Sequence, residues 1–140
     1  MKTFASQSLL VLGLVAALSG CMELSPETVG KQSNGQICYT IAVARANNGS
    51  AETIATGVDE LRRRGELRET DLFAIQTGEL RVGLREAAAL CIIGMGPDAV
   101  NTITTARGVE RQYVFNRPYN DVRPVTYIYT RDGTVTAFQD

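Results

Sequence analysis

Three cysteines are the residues of this 140-residue chain whose possible chemistry is easiest to define: Cys21, Cys38 and Cys91. A thiol can be acylated, oxidised to a disulfide, bound to a metal or used as a nucleophile. The chain contains no histidine, the commonest general base and metal ligand. Cys38 and Cys91 also lack metal-ligand spacing. The sequence therefore predicts no catalytic residue, no metal site and no cofactor, and we expect the protein not to be an enzyme.

The N-terminal segment is typical of an export signal. Lys2 supplies a positive charge, residues 9–18 are apolar, and the small residues Ser19 and Gly20 precede Cys21. The apolar run is shorter than the roughly 20 residues that a membrane-spanning helix needs. We therefore predict a signal peptide over residues 1–20. Because a cysteine follows this segment, we interpret it as a lipoprotein signal peptide. The alternative is an ordinary signal peptide followed by a chance cysteine.

The tetrapeptide at 18–21 resembles the lipobox of bacterial lipoproteins. The resemblance implies diacylation of Cys21, cleavage before it and acylation of the freed amine. Met22 stands where a retention aspartate would sit in enteric bacteria, so the resemblance also implies the outer membrane, on its periplasmic face. Two or three acyl chains attach a protein stably to a bilayer, whereas one chain holds it only marginally.

The remaining composition fits one small, nearly neutral domain. Without residues 1–20, thirteen basic and fifteen acidic residues remain, a net charge of −2. This balance argues against nucleic acid and against holding anionic lipid by charge alone. We expect a lipidated cysteine and flexible tether over 21–35 and a single domain over 36–140. No small-molecule substrate is evident, so an envelope protein is the expected partner.

Cys38 and Cys91 form an even pair once Cys21 is assigned to the lipid. Exported proteins seldom keep two free thiols, so we expect a Cys38–Cys91 disulfide. The alternative is two buried cysteines that act as small hydrophobic residues.

Hydrophobic periodicity predicts helices first and strands second. Ser50 is a predicted N-cap and Gly94 a predicted C-cap. The predicted helical segments are residues 37–46, 51–64, 70–75 and 84–93, with an extended stretch at 78–83. The predicted strands are residues 99–105, 109–115, 125–130 and 134–138, with a loop at 116–124. The fold class is therefore α+β, with N-terminal helices packed on a three- to four-stranded antiparallel β-meander.

Asp132-Gly133 is the strongest turn signal and predicts a two-residue hairpin. It predicts the pairs Arg131–Thr134, Tyr129–Thr136 and Tyr127–Phe138. One face then carries Val125, Tyr127, Tyr129 and Phe138, and the other carries Ile128, Val135 and Ala137. Because aromatic residues bury more area, we expect the aromatic face to pack against the helices. Ile128, Val135 and Ala137 are then candidate partner-binding residues, unless another segment covers them.

Three other patterns have simpler interpretations than a site. The arginine run at 62–64 ends a predicted helix, where cations interact favourably with the negative end of the helix dipole. A phosphate or headgroup site is the alternative interpretation of this run. Residues 94–99 match G-x-G-x-x-A, but a helix precedes the motif and a strand follows, the reverse of a dinucleotide-binding loop. Asp98, Asp121 and Asp132 lie where turns favour aspartate and are interpreted as backbone caps.

Residues 78–140 resemble the small outer-membrane lipoproteins of the SmpA/OmlA (BamE-like) group. The similarity lies in Val82-Gly83-Leu84, Gly94, Pro97-Asp98, Gly108, Gln112-Tyr113 and Asp132-Gly133-Thr134-Val135. Residues 36–77 fit that group less well. The resemblance implies a two-helix, three-stranded fold and a non-enzymatic role in envelope assembly.

Two functions are therefore expected from the sequence. The leading one is a lipid-anchored periplasmic binding module that supports envelope assembly or integrity. The alternative is an inhibitor or sensor domain that binds a soluble envelope enzyme or peptide through a strand edge.

Overall fold

The computed structural model describes residues 24–116 and 127–139, and these form an α+β domain. The helices are α1 Asn34–Ala46, α2 Ala51–Arg63, α3 Leu72–Thr77 and α4 Glu86–Ile93, with 3-10 turns at Val29–Lys31 and Glu69–Asp71. The strands are β1 Ala99–Thr105, β2 Gly108–Val114, β3 Tyr127–Arg131 and β4 Thr134–Gln139. They form an antiparallel sheet in the order β1-β2-β3-β4. The predicted fold class, with helices preceding a β-meander, is confirmed.

Helix α1 begins three residues before its predicted start because Ser33 and Gln36 form a capping box. The Gln36 N–H donates to Ser33 Oγ at 3.2 Å, and the Ser33 N–H donates to Gln36 Oε1 at 2.9 Å. Residues 24–35 were predicted to belong to a flexible tether. Leu24 and Val29 instead lie in the hydrophobic core, 3% and 5% exposed. This part of the predicted tether is therefore packed onto the domain.

Helices α1 and α2 approach each other closely at Gly57. A Cβ atom at this position would lie 2.8 Å from Leu24 Cδ1 and 2.9 Å from Ile41 Cδ1. Ser50 caps α2 as predicted, because its Oγ accepts the Thr53 N–H at 3.4 Å. The absence of a side chain at position 57 is what allows these two helices to pack at this distance.

A disulfide joins α1 to α4. The sulfurs of Cys38 and Cys91 are bonded at 1.92 Å, which confirms the predicted pair. Around it lies the core, whose largest fully buried apolar side chains are Ile37, Ile41, Leu61, Ile75, Ile128 and Val135.

Helix α4 begins at Glu86, two residues later than predicted, because the preceding residues pair with β4. The Gly83 N–H donates to the Val135 carbonyl at 2.9 Å, and the Val135 N–H donates to the Leu84 carbonyl at 2.8 Å. The Glu86 N–H then donates to the Gly133 carbonyl at 2.9 Å. Residues 83–86 therefore cover the outer edge of β4. Gly94 ends α4 in the left-handed conformation, as predicted.

The β3–β4 hairpin turns at Asp132-Gly133 as predicted, but its register changes after the second pair, Thr130–Val135. Arg131 pairs with Thr134, whereas Tyr129 pairs with Ala137 and Tyr127 pairs with Gln139. The predicted Tyr129–Thr136 and Tyr127–Phe138 pairs are wrong, because a β-bulge adds Thr136 to β4. The Thr136 hydroxyl donates to the Tyr129 carbonyl at 3.3 Å.

The bulge changes which side chains face the helices. Phe138 lies on the side of Ile128 and Val135 instead of Ala137, and Ile128 and Val135 are each 1% exposed. The expectation that the tyrosine face packs against the helices is wrong. Helix α4 contributes the small side chains of residues 87–89 and lies against β4. We infer that this close approach favours branched aliphatic residues over tyrosine rings.

Candidate functional site

The predicted site residues that the structure describes lie in different parts of it, and only some of them are accessible. Cys21 lies outside the described residues, as does Val125. Ile128 and Val135 are buried in the core, so their predicted role as a partner-binding surface is wrong. Ala137 is exposed and lies on the opposite side of the sheet, because it pairs with Tyr129. Of the three predicted contact residues, Ala137 alone belongs to an accessible surface.

The sheet surface that faces away from the helices is the candidate site, and we call it the outer face. It forms a shallow basin of about 460 Å³. The residues that line it include Asn101, Ile103, Glu110, Gln112, Tyr129, Arg131, Thr136 and Ala137. All four strands contribute, so the sheet as a whole determines the shape of the basin.

A row of hydrogen-bonded side chains crosses the outer face from β1 to β4. Asn101 Nδ2 donates to Gln112 Oε1 at 2.9 Å, and Gln112 Nε2 donates to the Tyr129 hydroxyl at 3.1 Å. The Tyr129 hydroxyl donates to Gln139 Oε1 at 3.2 Å. A side-chain amide has two donors and two acceptor lone pairs. These bonds therefore fix the orientation of the amides without using all of their hydrogen-bonding capacity.

A second row places charge and apolar surface beside the first. Arg131 donates to Glu110 Oε1 through Nε at 3.0 Å and Nη2 at 2.6 Å. Ile103, which pairs with Glu110, is 61% exposed. The rings of Tyr127 and Tyr129 lie 6.3 Å apart with a 34° tilt. A surface that combines aromatic, aliphatic and amide groups suits polypeptide recognition better than bond-breaking chemistry.

Strand β1 also exposes its backbone edge. All seven of its residues are exposed, and Val100 is 46% exposed. Thr105 pairs with Gly108 across a two-residue turn. The alternating pattern of an antiparallel ladder then directs the N–H and C=O groups of Val100, Thr102 and Thr104 away from β2. Within residues 24–116 and 127–139, no strand pairs with this edge.

A polar cluster that the sequence did not reveal lies between α4 and the inner side of the sheet. Arg111 Nη1 lies 2.8 Å from Glu86 Oε1, and the Thr130 hydroxyl donates to Glu86 Oε2 at 3.0 Å. Burial, followed by the Glu86 charge, raises the pKa of Tyr113 to about 12. The same carboxylate raises the pKa of Arg111. Because the Glu86 carboxylate is held by these donors, the cluster fastens the first turn of α4 to the sheet.

The arginine run pairs with groups of the same chain. Arg62 Nη2 lies 2.7 Å from Glu69 Oε2, whereas Arg63 and Arg64 bond to Glu60 Oε1 at 2.6 and 2.7 Å. Hydrogen bonds from Arg63 and then Arg64 lower the pKa of Glu60 to about 2. These contacts favour the structural interpretation of the run over a phosphate or headgroup site.

Arg64 also ties the C-terminal end of α2 to the beginning of α1. Its Nη1 donates to Asn34 Oδ1 at 2.7 Å. Its Nη2 donates to the Val29 and Gly30 carbonyls, each at 3.3 Å. The side chain therefore helps to hold the segment that precedes α1 against the domain.

Arg45 is a further residue that sequence reasoning missed. Its guanidinium donates to the Ile75 carbonyl at 2.9 Å and to the Ile92 carbonyl at 2.7 Å, in the last turns of α3 and α4. A cation at this position complements the negative ends of both helices. Burial lowers its pKa. The available sequence signal was one arginine within the apolar, alanine-rich run at 37–46.

Two other kinds of feature are absent from the part of the chain that the structure describes. No cluster of three or more His, Cys, Asp or Glu side chains there could hold a metal ion. No helix there is long and apolar enough to cross a membrane. The 94–99 motif lies between α4 and β1, with helix before and strand after, as predicted.

The chain has no match among protein-family models, curated proteins or solved structures. The resemblance to BamE-like lipoproteins therefore stays a prediction.

Proposed function

We propose that the protein is a lipid-anchored, non-enzymatic binding module on the periplasmic face of the outer membrane. In this role it supports envelope assembly or integrity through contacts with another protein. The lipobox-like residues at 18–21 support the anchor and the location. The BamE-like resemblance supports the same class of function.

The observation that carries the binding role is the outer face. Folding buries the inner side of the sheet at β3 and β4, where Ile128 and Val135 belong to the hydrophobic core. The outer face instead keeps Ile103 exposed beside a hydrogen-bonded row that spans all four strands. A relatively rigid surface loses little conformational freedom when a partner binds.

The test is affinity purification of the full chain from detergent-solubilised membranes, comparing Ala137→Lys with Ala55→Lys. Both alanines are exposed, but Ala137 lies on the outer face and Ala55 lies on α2. We expect the lysine at 137 to reduce recovery of a specific envelope protein at least tenfold, since an unmatched charge disrupts a packed interface. Equal recovery with both variants would reject the outer face as the binding surface.

The anchor is tested separately by labelling cells with a radioactive fatty acid. The wild-type chain should carry label and sediment with membranes, whereas Cys21→Ser should do neither. A wild-type chain without label would reject the proposed anchor.

The alternative function, an inhibitor or sensor domain, is favoured by the exposed edge of β1. Such an edge can accept an extended segment of a soluble envelope enzyme as an added strand. This function predicts that a Cys21→Ala form keeps its binding activity in solution. A loss of activity with the anchor would favour the membrane-bound module.

A further inference from the structure

The two edges of the sheet differ in what covers them. Residues 83–86 bond to the backbone of β4, whereas the outward-directed backbone groups of β1 have no strand partner among the described residues. Strand β1 contains no charged residue and no proline, and its apolar side chains Val100 and Ile103 are exposed. Proteins usually protect such an edge with charge, proline or a covering segment.

We propose that a second copy of this chain covers the edge, through antiparallel pairing of β1 with β1 about a two-fold axis at Thr102. In this register Thr102 pairs with itself, and Val100 of each copy pairs with Thr104 of the other. These are the three residues whose backbone groups point outward, so the pairing satisfies three N–H and three C=O groups on each copy. The product is an eight-stranded sheet.

Side-chain size and charge also fit this register. Two threonines at the axis form a favourable cross-strand pair. Asp98 precedes β1 and Arg107 follows it. In this register Asp98 would lie near the β1–β2 turn of the partner subunit, which contains Arg107 of the partner subunit, once at each end. Parallel pairing would bring Asp98 near a second Asp98 and Arg107 near a second Arg107, which is unfavourable.

The pairing extends the surface that the proposed function uses. Asn101 would lie opposite Ile103 of the partner subunit, so the exposed isoleucines would come together near the centre of the new sheet. The two outer faces would become continuous across the axis. The self-association does not depend on which envelope protein binds there, so it goes beyond the proposed function.

The test compares Thr102→Cys with Thr104→Cys in the full chain, purified in mild detergent and oxidised under identical conditions. Paired Thr102 residues would have Cα atoms about 5.5 Å apart, within disulfide range, whereas paired copies of Thr104 would be four residues out of register. We expect several-fold more covalent dimer from the variant at 102. The wild-type chain measures any background from its native cysteines.

A second measurement uses the mass in solution. The wild-type chain should show twice the mass of one chain, and Thr102→Lys should show one, because two lysines would meet at the axis. Equal cross-linking at 102 and 104, or a wild-type chain that stays monomeric, would overturn the self-pairing. A monomeric wild type that captures an extended peptide through β1 would also overturn it and favour the inhibitor or sensor function. The comparison of Ala137→Lys with Ala55→Lys tests binding through the outer face, so its result does not depend on whether β1 pairs with a second copy.

Discussion

The two edge strands of the sheet differ in burial and in what covers their backbone groups. On β4, Val135 is 1% exposed and its outward N–H and C=O groups bond to Leu84 and Gly83. On β1, all seven residues are exposed. We call the helices, the disulfide and the strand residues packed against them the covered side of the domain, and it contains most of the buried apolar surface. Substitutions on that side should therefore affect folding, and substitutions on β1 should affect binding.

The largest effect should follow removal of the disulfide that joins the helices on the covered side. Replacing Cys38 and Cys91 together with alanine should reduce the free energy of unfolding by about 4 kcal/mol, because the bridge closes a loop with a sequence separation of 53. Urea unfolding followed by circular dichroism measures this difference. Wild-type protein unfolded in a strong reductant is the control. An unchanged midpoint would mean that the bridge contributes little to the covered side.

A matched pair of isoleucines tests the comparison directly. Ile128→Ala should cost about 3 kcal/mol, because it empties a fully buried position in the hydrophobic core. Ile103→Ala should change stability by less than about 0.5 kcal/mol, because this side chain is 61% exposed. The same urea experiment measures both values. Similar costs at the two positions would contradict the division between a stabilising side and an exposed side.

A matched pair of glycines locates the tight contact between α1 and α2. Gly57→Ala should destabilise the protein by about 2 kcal/mol, since its methyl group would overlap Leu24 and Ile41. A Cβ atom at Gly35 on α1 would meet only Ser33 Oγ, at 4.0 Å, so Gly35→Ala should raise stability by about 0.5 kcal/mol through helix propensity. Thermal unfolding distinguishes the two signs. A neutral result at 57 would mean that the helices separate without cost.

Local signals predicted most of the fold, and contacts between distant residues account for most of the errors. Ser50, Gly94 and Asp132-Gly133 fixed element ends correctly, because capping and turn formation depend on a few adjacent residues. Ser33 and Gln36 have capping-box spacing and could have predicted the earlier start of α1.

The bulge at Thr136 could not be predicted in the same way, since it reverses the faces of β4 only after its second pair. It places Ala137 beside Tyr129 and Phe138 beside Ile128, opposite to the prediction. Ile128 and Val135 were assigned to the wrong surface for a different reason, because the aromatic face was expected to pack against the helices. Arg45 and Glu86 were missed because their partners lie 25 to 47 residues away in the sequence. The exposed edge of β1 likewise depends on sheet order, which strand patterns alone do not specify.

The smallest predicted effect tests whether charge also stabilises the covered side. Glu60 accepts hydrogen bonds from Arg63 and Arg64, which lower its pKa from 4.5 to about 2. A carboxyl whose pKa is lower in the folded state contributes stability above its unfolded pKa. That stability is lost as the pH falls through the folded value. The contribution of Glu60 should therefore disappear between about pH 4.5 and pH 2.

Glu60→Gln removes this titration and nearly preserves the shape of the side chain. The variant should be less stable than wild type at pH 7, and its unfolding midpoint should depend less on pH across that window. The two proteins should converge near pH 2, where wild-type Glu60 also becomes neutral. Asp59→Asn is the control, because Asp59 is 73% exposed and lies 3.6 Å from Arg62. If both variants change the acid dependence equally, overall charge rather than the Glu60 contacts determines it.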